Sequence, residues 1–215
     1  MGLSIRPHSG LFICFEGGEG TGKTTQIRRL EENLKKNFRR EVKVTWEPGG
    51  TALGEKVRGI LLDPQNSAMT ARCEALLYAA ARAQHVETVI LPVLNQGGIV
   101  LCDRYWDASR AYQGIGRSLG LKSIDEINHW ATQGLRADFT FVFDLDATKG
   151  LGRAQARGQL DRLEQEGLPF HEKVRLAYLN FAHQEPDSYL QVDASLGVDD
   201  IAEILWKKVQ NLLTP

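Results

Sequence analysis

The chain has few cysteines, no long apolar run and no excess of charge of either sign, and each shortage closes off a class of function. Only three cysteines occur in 215 residues. Cys14, Cys73 and Cys102 stand far apart and form no C-x-x-C pair, so their spacing builds neither a disulfide framework nor a thiolate metal site. Cys14 and Cys102 fall inside apolar runs, where a thiol packs as a small hydrophobe; a reducing, cytoplasmic setting is the economical expectation. No stretch approaches the roughly 18 to 20 apolar residues of a membrane helix. The first residues carry Arg6 but no apolar segment of signal-peptide length, and residues 1–10 are expected to be a flexible tail. Lysine and arginine number 26 against 27 acidic residues, a formal net charge of -1. No bulk attraction to nucleic acid or to a membrane surface is expected, so basic residues matter here by position. A hydrophobic fraction of 42% suffices for one core without staples, hence a single domain over residues 11–215.

What is present is alternation. Apolar runs at Leu11–Glu16, Val42–Trp46, Ile99–Asp103, Phe139–Asp144 and Ser188–Val192 read as strands. Most are continuous rather than alternating, as in a parallel sheet covered by helices on both faces. Between them, helices are expected at Lys23–Asn37, Leu53–Leu62, Thr70–Asn95, Ile124–Gly134, Thr148–Arg157, Phe170–His183 and Val198–Leu213. The succession is the βαβ pattern of an α/β fold. Two segments read as irregular: Pro64–Met69, and Gly158–Pro169, which is dense in charge, lies between two helices and suits a lid.

The first strand runs into Gly17-Gly18-Glu19-Gly20-Thr21-Gly22-Lys23-Thr24-Thr25. This matches G-x-x-x-x-G-K-[ST], with strand before and helix after. Glycines let backbone N–H groups wrap phosphates without side-chain collision, and the following helix offers its free amides to the same anion. Lys23 supplies a mobile positive charge for the β- and γ-phosphates of ATP, and Thr24 a hydroxyl for Mg2+. No asparagine is followed by lysine and no Asp-x-x-Gly occurs, so the base-reading and switch motifs of a GTPase are missing.

Beyond this loop stand Trp46-Glu47-Pro48-Gly49-Gly50-Thr51, then Asp103-Arg104-Tyr105 continuing to Ala111-Tyr112-Gln113-Gly114, then Arg157-Gly158-Gln159-Leu160-Asp161-Arg162-Leu163-Glu164. With Phe15-Glu16-Gly17 and the phosphate loop, this ordered set resembles the bacterial thymidylate kinases over nearly the whole chain. The resemblance implies a P-loop nucleoside monophosphate kinase fold, a five-stranded parallel sheet flanked by helices with a small lid at about residues 158–169. It also implies a cytoplasmic homodimer that phosphorylates thymidine monophosphate with ATP and Mg2+, and a cis peptide bond at Glu47-Pro48.

Site residues follow from the resemblance and from their own chemistry. Asp103, ending a strand beside the phosphate loop, suits indirect organisation of Mg2+. Arg104 can hold a phosphate in a fork, although the two could also be a plain surface pair. Tyr78 and Arg82, four apart, share a helix face; the resemblance has the aromatic ring stack the base and the arginine read its edge, whereas the bland alternative is core packing. Gln113 carries both donor and acceptor for that edge. Glu19 is odd next to phosphates, and the resemblance puts it on the acceptor's 3′-hydroxyl; a carboxylate turned to solvent is the alternative. Glu47, Ser109 and Tyr112 are implied on the acceptor side as well, with Arg58 and Arg104 anchoring its phosphate. The phosphate loop holds no arginine, so the transferring group needs positive charge from elsewhere, and Arg153, Arg157 and Arg162 around the lid offer it.

Two positions depart from the family pattern. Trp46 stands where an arginine is usual, and Ala108 where a serine is usual. Both touch the acceptor half only. A kinase for another nucleoside monophosphate, or a nucleotide-binding protein of the same fold with little turnover, are the alternatives these departures leave open.

Overall fold

Five runs, three of them buried on both faces, become five parallel strands with helices on either side. In the computed structural model, which describes residues 8–213, these are β1 (Leu11–Gly17), β2 (Val42–Trp46), β3 (Ile99–Asp103), β4 (Phe139–Asp144) and β5 (Tyr189–Asp193). Their order across the sheet is β2-β3-β1-β4-β5, all parallel. The continuous runs of β1, β3 and β4 lie inside the sheet and are buried almost throughout; β2 and β5, at the edges, show mixed exposure. Strand periodicity sends Leu11, Ile13 and Phe15 to one face. There they meet Ile27, Leu30 and Leu34 of α1 (Lys23–Asn37) and Ile201, Leu205 and Val209 of α9 (Val198–Leu213). Phe12 and Cys14 face the other side, against Val86, Ile90 and Leu94. Each fully buried side chain of this size contributes roughly 1.5–3 kcal/mol.

The remaining helices are α2 (Ala52–Leu62), α3 (Ala71–His85), α4 (Leu91–Asn95), α5 (Trp106–Ser109), α6 (Leu121–Thr132), α7 (Ala147–Arg157) and α8 (Leu168–Gln184). The single helix expected over 70–95 is instead wound as a π-helical turn at Val86–Ile90 between α3 and α4. Pro92 lacks an N–H and crowds the carbonyl one turn back, so the wider turn ahead of it relieves a regular α-helix. The stretch after β3 was not expected to be helical, yet Trp106–Ser109 runs into a second π-helical turn at Arg110–Gly116. Of the tail expected at 1–10, residues 1–7 lie outside the described residues. Ser9 and Gly10 are already tied down: the Ser9 carbonyl accepts from Arg40 at 3.1 Å, and Gly10 is buried. The Glu47-Pro48 bond is cis.

Topology places the site. The connection from β1 leads past β3 to β2, and the one from β3 leads past β1 to β4. Connections leaving two neighbouring strands in opposite directions open a crevice at their carboxyl ends. Register puts Phe15 beside Asp103 and Trp46 beside Asp103, so three strand ends converge there. Gly17 closes the floor of that crevice. Its φ is +133°, and a Cβ there would collide with the Phe143 carbonyl oxygen on β4, whereas a Cβ on Gly18 would meet nothing.

Gly17→Ala is therefore expected to lower unfolding free energy by about 1–3 kcal/mol, and Gly18→Ala to leave it within about 0.5 kcal/mol. Denaturant titration of both variants checks this, and equal losses would show that the constraint lies elsewhere.

Candidate active site

The loop between β1 and α1 is held open by its own lysine. Lys23 Nζ donates to the carbonyls of Gly17 (3.2 Å) and Gly18 (2.9 Å) and to Thr21 Oγ1 (3.1 Å). Burial, and then repulsion from Arg104, pull its pKa down to about 8 against the opposing pull of Asp103, Glu19 and Glu16. Gly20 and Gly22 take positive φ, which leaves the amides of the loop and of the α1 N-terminus to wrap an anion. An open cleft of about 1920 Å³ lies over residues Gly20 to Thr25 and is walled by Asp103, Arg104, Arg153 and Arg157. Thr24 Oγ1 donates to Asp103 Oδ2 at 3.1 Å. A hydroxyl and a carboxylate together at a phosphate cleft are the hard oxygen donors that Mg2+ takes alongside phosphate oxygens, so the residues present fit that ion.

A second, narrower cavity of about 540 Å³ opens beside the cleft, and Glu19, Glu47, Arg58 and Arg104 line both. Its walls bring together Tyr78, Arg82, Tyr112 and Gln113. Ser109 stands one layer back: its Oγ accepts from Arg82 Nη1 at 3.0 Å, and it is not in the cavity wall. Arg82 is buried to 1% exposure. Its Nε donates to Glu47 Oε2 (2.7 Å), its Nη1 also to Asn128 Oδ1 (2.5 Å) and its Nη2 to the Tyr105 carbonyl (2.8 Å). Glu47 turns its other oxygen to His85 Nδ1 at 2.9 Å, and His85 Nε2 lies 2.6 Å from Thr45 Oγ1. Arg58 donates to the Pro48 carbonyl at 2.9 Å.

Glu19 is not turned to solvent. It accepts from Arg104 Nη2 at 2.6 Å and from the Tyr112 hydroxyl at 2.7 Å. Burial alone would raise its pKa, but the charges of Arg104 and Lys23 and the Tyr112 bond outweigh it and bring it down to about 2. Arg104 also donates to the Gly17 carbonyl at 2.9 Å and lies over the Tyr112 ring. Behind it, the Tyr178 hydroxyl donates to Glu16 Oε2 at 2.8 Å, and Glu16 Oε1 accepts from the Tyr105 amide at 2.8 Å. Burial, then repulsion from Asp107, push the Glu16 carboxyl up to about 7 despite those bonds.

The three lid arginines separate. Arg153 donates to the Gly20 carbonyl at 3.2 Å, and Arg157 reaches the cleft while pairing with Glu164 at 3.1 Å. Arg157 itself is largely exposed, so the pair holds it only weakly. Arg162, expected with them at the phosphates, is buried away from the cleft. Its Nε donates to the Leu61 carbonyl at 2.7 Å, its backbone N–H to the Leu62 carbonyl at 3.0 Å, and its Nη2 sits 2.7 Å from Glu74 Oε2 in a close charge contact. The sequence reading missed Asp161 and Leu163, lid residues that line the narrower cavity with Leu62; their position inside the lid motif was the available signal. Glu74 also went unread, because nothing local marks a glutamate one turn before Tyr78. Trp46 is 45% exposed at the mouth of the cleft. Its Nε1 donates to Glu55 Oε1 (2.8 Å), which also accepts from the Gly50 amide (3.0 Å). Ala108 lines the narrower cavity.

A family model described as Thymidylate kinase matches residues 15–204. The thymidylate kinase of Pelobacter propionicus is 50% identical over 211 residues, covering 95% of this chain and 96% of its own. That of Enterococcus faecalis is 45% identical over 202 residues, covering 93% and 95%. The crystal structure of thymidylate kinase from Ehrlichia chaffeensis matches with a TM-score of 0.75 at 30% identity, covering 93% of this chain and 98% of that one.

With a pKa pulled down to about 8 by burial, Lys23 loses its charge above that pH, and triphosphate charge beside it would raise its pKa again. ATP binding near pH 8 is expected to take up roughly half a proton per site, and affinity to fall as pH climbs further. Calorimetry in buffers of different ionisation enthalpy reads the uptake; none at pH 8 would mean that Lys23 stays protonated without ligand.

Proposed function

The chain belongs to the thymidylate kinase family, and from that premise we infer that it transfers the γ-phosphoryl group of ATP to thymidine monophosphate, giving thymidine diphosphate and ADP. It is a nucleoside monophosphate kinase, a phosphotransferase. One observation carries the reading at the level of the site: the acceptor-sized cavity and the phosphate cleft share Glu19 and Arg104 in a common wall. An acceptor phosphate at that wall faces the γ-phosphate of a triphosphate on the loop.

The residues divide the labour. Gly17 to Thr25 and Lys23 hold ATP. Tyr78 stacks the base, Arg82 and Gln113 read its edge, and Glu19 and Tyr112 meet the sugar. Glu47 and Ser109 hold Arg82 in place, while Arg58 and Arg104 fix the acceptor phosphate. An acceptor oxygen attacks the γ-phosphorus as the bond to the β–γ bridging oxygen breaks. Little covalent work is left for the protein beyond positioning and charge stabilisation. Thr24 would hold Mg2+ with Asp103 acting indirectly, and the ion would supply positive charge to the phosphate oxygens. Arg153 and Arg157 bring the remaining charge from α7, over a lid at residues 158–169 that excludes water when it closes.

The enzyme acts as a cytoplasmic homodimer, without nucleic acid or membrane as partner. No helix among the described residues is long and apolar enough to cross a membrane. Leu53 and Ile60 of α2, Leu76 of α3 and Trp130 of α6 are large apolar side chains left exposed on helices that pack side by side, a surface suited to a second copy. Of the small residues along α3 and the turn after it, Ala80 is exposed and Ala83 half-buried, while Ala79 and Val86 are buried within the chain.

An ADP-release assay over a panel of nucleoside monophosphates tests the reading. Thymidine monophosphate is expected to give the highest kcat/KM; no turnover with any acceptor would identify a nucleotide-binding protein instead. Arg157→Ala is expected to lower kcat roughly 10- to 100-fold while leaving the Kd for thymidine monophosphate within about two-fold. Arg162→Ala should instead loosen residues 158–167 in hydrogen exchange. The reverse pattern would exchange the two assignments.

A further inference from the structure

Glu74 takes no part in the chemistry above, yet it is fully buried and met only by donors. Gln113 Nε2 donates to its Oε1 at 2.8 Å. Arg117 donates through Nε to Oε1 (3.3 Å) and through Nη2 to Oε2 (3.2 Å), and Arg162 Nη2 sits 2.7 Å from Oε2. Two guanidinium groups hold the carboxylate still, one just after the π-helical turn at Arg110–Gly116 and one from the lid.

A carboxylate only accepts hydrogen bonds. The end of the Gln113 amide that faces Glu74 must therefore be its NH2, and the carbonyl Oε1 is the end left for the cavity that Gln113 lines. An amide with a neutral neighbour could turn either way; beside a fixed carboxylate it cannot. Arg82 is similarly restricted. Of its five N–H groups, Glu47, Ser109, Asn128 and the Tyr105 carbonyl take four, leaving one on Nη2. The polar wall of the cavity thus offers one acceptor from Gln113 and one donor from Arg82. An imide edge, a ring N–H beside a carbonyl, matches that pair. The edge of cytosine, a ring nitrogen acceptor beside an amino donor, opposes it at both places.

We propose that Glu74 sets the base specificity of the site: it is a positioning residue that locks the Gln113 amide with its carbonyl toward the base, so that the cavity reads a ring N–H and rejects cytosine. This rests on the thymidylate reading above and adds the residue that enforces it. Losing the lock lets Gln113 turn, which puts a donor against the imide N–H and a complementary donor against the cytosine ring nitrogen.

The test is Glu74→Gln, with Kd measured by calorimetry for thymidine and deoxycytidine monophosphates, and KM for ATP alongside. The ratio of the two affinities is expected to fall about ten-fold or more, while KM for ATP moves by less than about two-fold. A glutamine at 74 satisfies either orientation of Gln113. The double variant Glu74→Gln/Gln113→Glu keeps the charge of the pair. It returns an acceptor-only group to the cavity wall, and the preference for thymidine monophosphate is expected to recover. It also keeps the idea testable if the single variant folds poorly. Equal weakening for both nucleotides, or a double variant that does not recover, would mark Glu74 as purely structural and overturn the proposal. A wild type that prefers thymidine monophosphate but whose ratio ignores Glu74→Gln removes only this assignment. A wild type that binds neither nucleotide removes the thymidylate reading and the assignment with it.

Discussion

The site depends on where the Arg104 guanidinium is held. Arg104 has a φ of +68°, a conformation that costs a residue with a side chain about 1–3 kcal/mol. Its amide donates to the Phe15 carbonyl at 2.9 Å, so the turn after β3 is pinned to the end of β1. Its side chain then reaches back to the Gly17 carbonyl and to Glu19. Charge-assisted hydrogen bonds of this kind contribute about 1.5–3 kcal/mol each, enough to offset the backbone cost. The end of β1, the phosphate loop and the wall between the two cavities are thereby tied together by one residue.

Around this centre the molecule buries charge where an apolar core would be more stable. Glu47 and Arg82 are both nearly inaccessible, and desolvating such groups costs several kcal/mol apiece before their mutual attraction returns it. What the network provides is direction. Glu47 joins the corner at Pro48 to α3, and Arg82 joins α3 to α6 through Asn128, to α5 through Ser109 and to the turn after β3 through Tyr105. The donor that Arg82 leaves for the cavity is aimed by four other elements of structure, and loosening any of them would blur it.

Sequence carried the sheet and the phosphate loop because both are local statements. Short apolar runs alternating with longer amphipathic segments mark the strands of a parallel sheet, and Gly17 to Thr25 has its meaning in its own spacing. Tyr78 and Arg82 were legible for a similar reason, since one helical turn separates them. The helix at 106–116 was not, because a π-helical turn containing Gly114 and Gly116 breaks the 3.6-residue period. Arg162 was misplaced for a different reason. Three arginines in a row of lid positions look alike in sequence, and what separates Arg162 from Arg157 is a buried carboxylate on α3 that no local pattern connects to the lid.

Trp46 takes the place of a charged residue in the family pattern, and its consequence is optical as much as chemical. Trp106 is buried and bonded to Asp125, Trp206 packs on Phe38, and Trp130 stands 84% exposed on α6. Trp46 is the one tryptophan in the wall of the phosphate cleft, half open to water and tethered through Glu55 to the Gly50 amide. Its emission is sensitive to the charge and water around the ring, so the chain carries a built-in fluorescent label at the entrance to its own nucleotide site.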